Sequence, residues 1–216
     1  MIDIKGMLET LRKVRPIFHS EADFQHALAW EIHKKLPTYS VRLEYPLSLR
    51  QSEHLDILLA SNSNDLVAIE LKYKTRLLST TFEEETFWLK DHSAQDCGRY
   101  DFLKDVQRLE EFISKHSNAT GYAILLTNDS SYWKPPRNDS TVDANFRVHE
   151  GRIVHGTLTW GSRASKGTTK GREKVIVIRD TYHLVWQDYY QAATLPNMGN
   201  YTKFKYLLVR ASENIR

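Results

Sequence analysis

One cysteine, Cys97, stands in 216 residues, so neither a disulfide framework nor a cysteine-based zinc site can be assembled, and the chain fits a reducing compartment. No window approaches the roughly 18 consecutive apolar residues of a membrane-spanning helix. The N-terminal stretch MIDIKGMLETLRKVRP has no apolar core of a signal peptide. These absences predict a cytoplasmic protein with no membrane partner. Internal repeats, low-complexity tracts and long linkers are also lacking, so residues 1–216 read as a single domain. Several chemistries are excluded by missing motifs. Gly161 to Thr168 has the letters of a phosphate-binding loop without the Gly-Lys-Ser/Thr order. No nucleophile elbow or dinucleotide fingerprint occurs, and His26 and His33 lie seven apart on one predicted helix with no third zinc ligand.

What is present is an uneven charge. The net charge is +3, yet from Arg147 onward 12 Lys+Arg face 5 Asp+Glu (+7), against 18 facing 22 before it (−4). Such a split is expected where one part grips a polyanion and another holds cations; a chance asymmetry of a solvated surface is the alternative. After an amphipathic start, Ser20 is an N-cap for a helix over Glu21 to Leu36, stopped by Pro37. An extended stretch near Tyr39 to Leu49 and a hairpin over HLDILLASNSNDLVAIELKYK follow. A second helix is predicted over Tyr100 to His116, from Phe102, Val106, Leu109 and Ile113 at helical spacing. GYAILLTND then reads as a buried strand that returns parallel to a hairpin strand. Short strands are expected in GRIVHGTLTW, KVIVIRD, TYHLVW and FKYLLVRA. The order α, β-hairpin, α, β predicts an α/β core with later, β-rich additions.

The hairpin carries the chemistry. With a turn over Ser61 to Asp65, Ala60 faces Leu66, Leu58 faces Ala68 and Asp56 faces Glu70. Period-two alternation adds Lys72 to that face and leaves Leu55, Ile57, Leu59, Val67, Ile69 and Leu71 on the other. Opposed carboxylates with Cβ atoms about 5 Å apart repel by on the order of 3 kcal/mol at an effective dielectric near 20. A bound cation, the Lys72 ammonium or a raised carboxyl pKa offsets this. Two carboxylates plus waters suit Mg²⁺ or Mn²⁺, and an adjacent ammonium suits stabilisation of a charged phosphoryl transition state. A plain salt-bridged hairpin end, Asp56 or Glu70 with Lys72, Lys74 or His54, is the structural alternative.

Asp56 followed by Glu70-Leu71-Lys72 on the next strand resembles the D…(D/E)XK signature of the PD-(D/E)XK, or restriction-endonuclease-like, nuclease superfamily. Two departures are visible: Leu55 rather than proline precedes Asp56, and Gln107 is followed four residues later by Glu111, so the Gln-x-x-x-Tyr pattern of some members is missing. The resemblance covers about residues 17–128 and leaves about 129–216 as a C-terminal extension. It implies an αβββαβ core, Mg²⁺ or Mn²⁺ held by Asp56, Glu70 and the Leu71 carbonyl, catalytic assistance from Lys72, and DNA as substrate. It also implies a third acid from the first helix. Glu21 is the candidate and Glu31 the runner-up, since both fall within the apolar stripe Phe24, Ala27, Leu28, Ile32; a charge that favours a helix N-terminus is the alternative for Glu21. Cutting both strands of a duplex would favour a homodimer.

GSRASKGTTKGREK holds the expected phosphate contacts, Arg163, Lys166, Lys170, Arg172 and Lys174, on a flexible loop. Trp160, Tyr182, Trp186, Tyr189 and Tyr190 are either base-stacking or core aromatics. Lys104, Arg108 and Lys115 share the outer face of the second helix, either along a phosphate backbone or in solvent. Gln95 and Arg99 are marked only as supports, and Gln25 as a contact to a metal-bound water or an exposed amide. The functional expectation is thus a metal-dependent nuclease, with a non-catalytic nucleic-acid-binding module and a partner-binding protein with an acidic EEETFW segment as alternatives.

Overall fold

A computed structural model describes residues 2–48, 53–193 and 201–212. Helix α1 (Ile4–Val14) begins at an Asp3 cap and α2 (Glu21–Lys35) at Ser20, whose hydroxyl accepts the Asp23 N–H as the sequence predicts. Strands β1 (Tyr39–Pro46), β2 (His54–Ser61) and β3 (Leu66–Lys74) form a meander, with residue 49 of the expected extended stretch outside the described residues. A hairpin, β4 (Leu78–Phe82) and β5 (Glu85–Leu89), occupies the region of the acidic segment. Helix α3 (Gln95–Ile113) leads into β6 (Ala119–Thr127). Strand β7 (Ile153–Leu158), the short helix α4 (Lys166–Thr169) and β8 (Ile176–His183) form a second hairpin unit, and β9 (Trp186–Gln191) and β10 (Lys203–Ser212) close the chain.

The protein is a mixed α/β fold whose six-stranded sheet runs β1-β2-β3-β6-β10-β9. All neighbours are antiparallel except β3 and β6, which are parallel from Leu66↔Ala119 to Lys74↔Thr127, so the predicted crossover pairing holds. β9 and β10 extend this sheet beyond β6, which makes them part of the main layer rather than an appendage. The central strands read as nearly unbroken apolar runs because both faces are covered. One face packs on α1, α2 and the β4/β5 hairpin through Phe18, Phe24, Ile57, Ile69 and Leu71. The other packs on α3 and the β7/β8 hairpin through Leu58, Ala68, Phe102, Val106 and Leu109. Gly121 permits the close approach of α3 to β6: a Cβ there would lie 3.0 Å from that of Leu109.

Three expectations are corrected. Helix α3 starts at Gln95, five residues before Tyr100, on Ala94 in the left-handed region (φ +62°) with no side-chain cap, so the sequence carries no start signal. TYHLVW is not one strand; β8 ends at His183 and β9 begins at Trp186. Leu55 joins the α3-side cluster instead of lining the face of Ile57 and Leu59. Across from Asp56, between the pairs Leu43↔Ile57 and Tyr45↔Leu55, Glu44 sits at φ +50°, and this kink breaks the regular alternation.

Candidate functional site

The β2/β3 turn is built as the sequence indicates: the Ser61 N–H donates to the Asp65 carbonyl, and Asn64 adopts φ +64°. The register runs from Ala60↔Leu66 to Ile57↔Ile69, and the pairing stops there, one residue short of Asp56 and Glu70. The alternation that buries Ile69 and Leu71 against α2 turns Glu70 and Lys72 toward α3. There they meet two residues that the sequence reading did not assign to the site. Arg108 Nη1 donates to Glu70 Oε1 at 2.7 Å and to Asp105 Oδ1 at 3.0 Å. Lys72 Nζ lies 2.8 Å from Asp105 Oδ2 and donates to the Leu71 carbonyl at 3.0 Å. Glu70 is 2% exposed and Asp105 3%.

Asp56 Oδ2 accepts the Leu71 N–H, which locks the β2 carboxylate onto the β3 backbone. Gln25 is buried, and its amide donates to the Asp56 carbonyl at 2.7 Å and to Glu44 Oε1 at 2.8 Å, clamping the kinked strands to α2. Glu21 Oε2 accepts the Tyr73 N–H at 2.7 Å and lies 3.8 Å from Lys74 Nζ. Glu31 is withdrawn from the site: its buried carboxylate is held by Lys34 at 2.7 Å and Lys35 at 3.3 Å, ten residues along α2 from Glu21. Glu21 and Glu31 are thus a backbone anchor and an intrahelical ion-pair centre.

Burial dominates the electrostatics. It raises Asp56 to about 6, with Lys72 and the Leu71 N–H working against it and Asp105 and Glu21 adding to it. Burial, then the Asp105 charge, pushes Glu70 well above the ordinary carboxyl value, and burial raises Asp105. Lys72 moves upward although burial opposes its charge, because Asp105, Glu21 and Asp56 surround it. The ammonium is therefore permanently charged at neutral pH. Carboxylates raised in the presence of Lys72 and Arg108 mark a site whose own cations do not fully offset the burial of its acids.

The oxygen donors Asp56, Glu70 and the Leu71 carbonyl match a hard divalent cation in chemistry. They are not assembled as a ready cage. Among the described residues no three His, Cys, Asp or Glu are grouped to hold a metal ion, and Glu21, bound to the Tyr73 N–H, does not complete a three-acid set. Glu70 is engaged by Arg108 and the Leu71 carbonyl by Lys72.

The basic segment is anchored rather than free. Arg172 forms a two-pronged ion pair with Asp101 at 2.7 Å, Trp160 Nε1 donates to the Arg172 carbonyl, and Ser165 caps α4. Arg172 is thereby corrected from an open phosphate contact to a strut onto α3, while Arg163, Lys166, Lys170 and Lys174 remain exposed and form no ion pair among the described residues. The outer face expected for α3 is also divided: Arg108 turns into the site and Lys104 lies 3.8 Å from Glu53. Trp186 and Tyr189 are core, and Trp160 stacks on Tyr100 with ring centroids 5.6 Å apart. Asp105 was legible in principle, for it lies three residues after Phe102 and four before Leu109, inside the apolar stripe. No protein-family model, curated protein or solved structure matches the chain.

Proposed function

We propose that this chain is a divalent-metal-dependent nuclease of the restriction-endonuclease-like type that hydrolyses phosphodiester bonds in DNA. The observation that carries the reading is the convergence of Asp56, Glu70 and Lys72 under α3, on adjacent strands of one hairpin. The order α2-β1-β2-β3-α3-β6, with the β4/β5 hairpin inserted between β3 and α3 and with β3 and β6 parallel, adds support, since apart from that insertion it follows the αβββαβ pattern that the signature implies.

Asp56, Glu70 and the Leu71 carbonyl would hold Mg²⁺ or Mn²⁺, with Glu21 close by on the Tyr73 N–H. A bound divalent cation supplies Lewis-acid polarisation of the phosphate and a more acidic water. Lys72, held charged by Asp105, stabilises negative charge developing on the phosphate and orients the attacking water; it is not a proton acceptor. Arg108 is the counter-ion of Glu70 and must share or yield that carboxylate when the cation binds. A non-catalytic nucleic-acid-binding module is the second reading, favoured by the Arg108–Glu70 and Lys72–Asp105 pairs, which satisfy the acids without metal.

Incubation of plasmid, linear and single-stranded DNA with Mg²⁺, Mn²⁺ or EDTA separates the two. The nuclease reading expects metal-dependent cleavage that is abolished in Glu70→Ala and slowed by on the order of 10²-fold in Lys72→Ala. Cleavage undiminished in Glu70→Ala, or no cleavage of any substrate with either metal, refutes it.

A further inference from the structure

Strand β3 ends in Lys72-Tyr73-Lys74, where alternation spaces the two cations about 6.6 Å apart, and the chain runs on outside the strand through Thr75 to Arg76. That interval is close to the separation of successive phosphates on an extended single strand. Lys74 lines a small recess with His92, Asp101 and Arg172. Arg76, at the end of the row, lines a cavity of about 620 Å³ together with Gln95, Asp129, Lys134, Arg147 and Tyr201. This volume lies within the range of small-molecule sites, and the cavity sits beyond the carboxyl ends of the parallel strands β3 and β6, where open α/β sheets place ligands.

The walls are preorganised. Asn128, 2% exposed, accepts the Arg76 N–H at 2.7 Å and donates to the carbonyls of Arg76 and Tyr201 at 3.3 and 2.8 Å, so one buried amide joins two walls. The Arg76 guanidinium lies 5.0 Å from the Tyr201 ring centroid, with Asp91 2.9 Å from its Nε. Asp129, the one carboxylate in the lining, accepts from Gln95 Nε2 and the Ser131 N–H, both at 2.9 Å. Behind the cavity Asp143 is shared by Arg99 at 2.6 Å and Arg147 at 3.2 Å. Burial and the neighbouring Arg99 push Arg147 below its ordinary value, as expected where positive charge is gathered. At the rim, Lys134 and Arg137 are exposed and form no ion pair among the described residues.

We propose that this cavity is a nucleotide subsite, which holds one phosphate with its attached nucleoside from a single strand that runs along Lys72, Lys74 and Arg76. The choice of a nucleotide over another phosphate-bearing molecule rests on the nuclease reading; the anionic character of the ligand does not. The phosphate lies against Arg76 and the rim cations, and Tyr201, Gln95 and the serines beyond Asp129 offer an aromatic edge and polar groups to the nucleoside.

The test is equilibrium binding of a fluorescent single-stranded oligonucleotide to the full chain in EDTA, across salt concentrations, with dAMP and inorganic phosphate as competitors. Lys134→Glu/Arg137→Glu changes two exposed, unpaired side chains and leaves the catalytic residues and the fold intact. Expected is a loss of affinity of about tenfold or more, with a salt slope smaller by about 0.7 for each lost contact. Displacement by dAMP but not by phosphate assigns the subsite to free nucleotides as well as strands. Weaker binding of the double variant without dAMP displacement assigns it to strands alone. Wild-type affinity and slope in the double variant overturn the proposal, even if Glu70-dependent cleavage is observed. Impaired strand binding in the double variant, with no cleavage by the wild type, keeps the subsite and removes the nuclease.

Discussion

Asp56→Asn should make this protein more stable at pH 8 in EDTA. The carboxyl moves from an ordinary 3.8 to about 6 because burial penalises its charged form more than Lys72 and the Leu71 N–H favour it. At about 1.36 kcal/mol per pH unit, this corresponds to about 3 kcal/mol of strain from the ionised side chain. Across the window from 3.8 to about 6 the folded chain binds the proton more tightly than the unfolded chain. Stability therefore falls as pH rises through that window and stays lowered above it. Asparagine keeps an oxygen to accept the Leu71 N–H and carries no charge, so its advantage is full at pH 8 and shrinks below about 1 kcal/mol at pH 4. For a chain of this size about 3 kcal/mol corresponds to a rise in Tm of roughly 6–12 °C. Paired thermal and urea denaturation of the two proteins at pH 4 and pH 8 reads the effect directly. On the proposed metal site, adding Mg²⁺ should then narrow the gap at pH 8, because a cation present at ten times its Kd would stabilise the wild type by about 1.4 kcal/mol and would have one ligand fewer in the variant. A variant no more stable than wild type at pH 8, or a margin that does not change with pH, would refute the reasoning.

Two further perturbations probe the scaffold. Arg99→Ala leaves the buried Asp143 with Arg147 as its remaining cation and should cost about 3–5 kcal/mol in urea denaturation; a loss below about 1 kcal/mol would contradict a tightly paired interior. Glu110 accepts the N–H groups of Arg179 and Asp180 and the Tyr182 hydroxyl, so it pins β8 to α3. Glu110→Ala should destabilise by about 1–3 kcal/mol and speed amide exchange in Ile176–His183 while β6 stays protected. Unchanged exchange in β8 would show that the apolar contacts alone hold the hairpin.

The pairing of β2 with β3 and the return of β6 were legible because they rest on local chemistry: a turn with a residue able to adopt φ > 0, strict alternation, and a crossover long enough for a parallel strand. So was the α2 start, where Ser20 satisfies a helix N–H from within its own segment. The shared face of Glu70 and Lys72 on β3 followed from the same alternation. Their counter-ions did not. Asp105 and Arg108 lie more than thirty residues from Glu70, and nothing local states which α3 side chains will face β3. The kink at Glu44, the withdrawal of Glu31 and the anchoring of Arg172 likewise depend on partners distant in the chain.

By itself the sequence determined where the ionisable residues stand and, wherever a strand is regular, which face they share, since side-chain direction along a regular strand is set by backbone geometry. Tertiary structure alone decided which charges are neutralised. That outcome depends on which elements pack within reach of a carboxylate and on how much water they exclude from it, and neither is a property of any one segment.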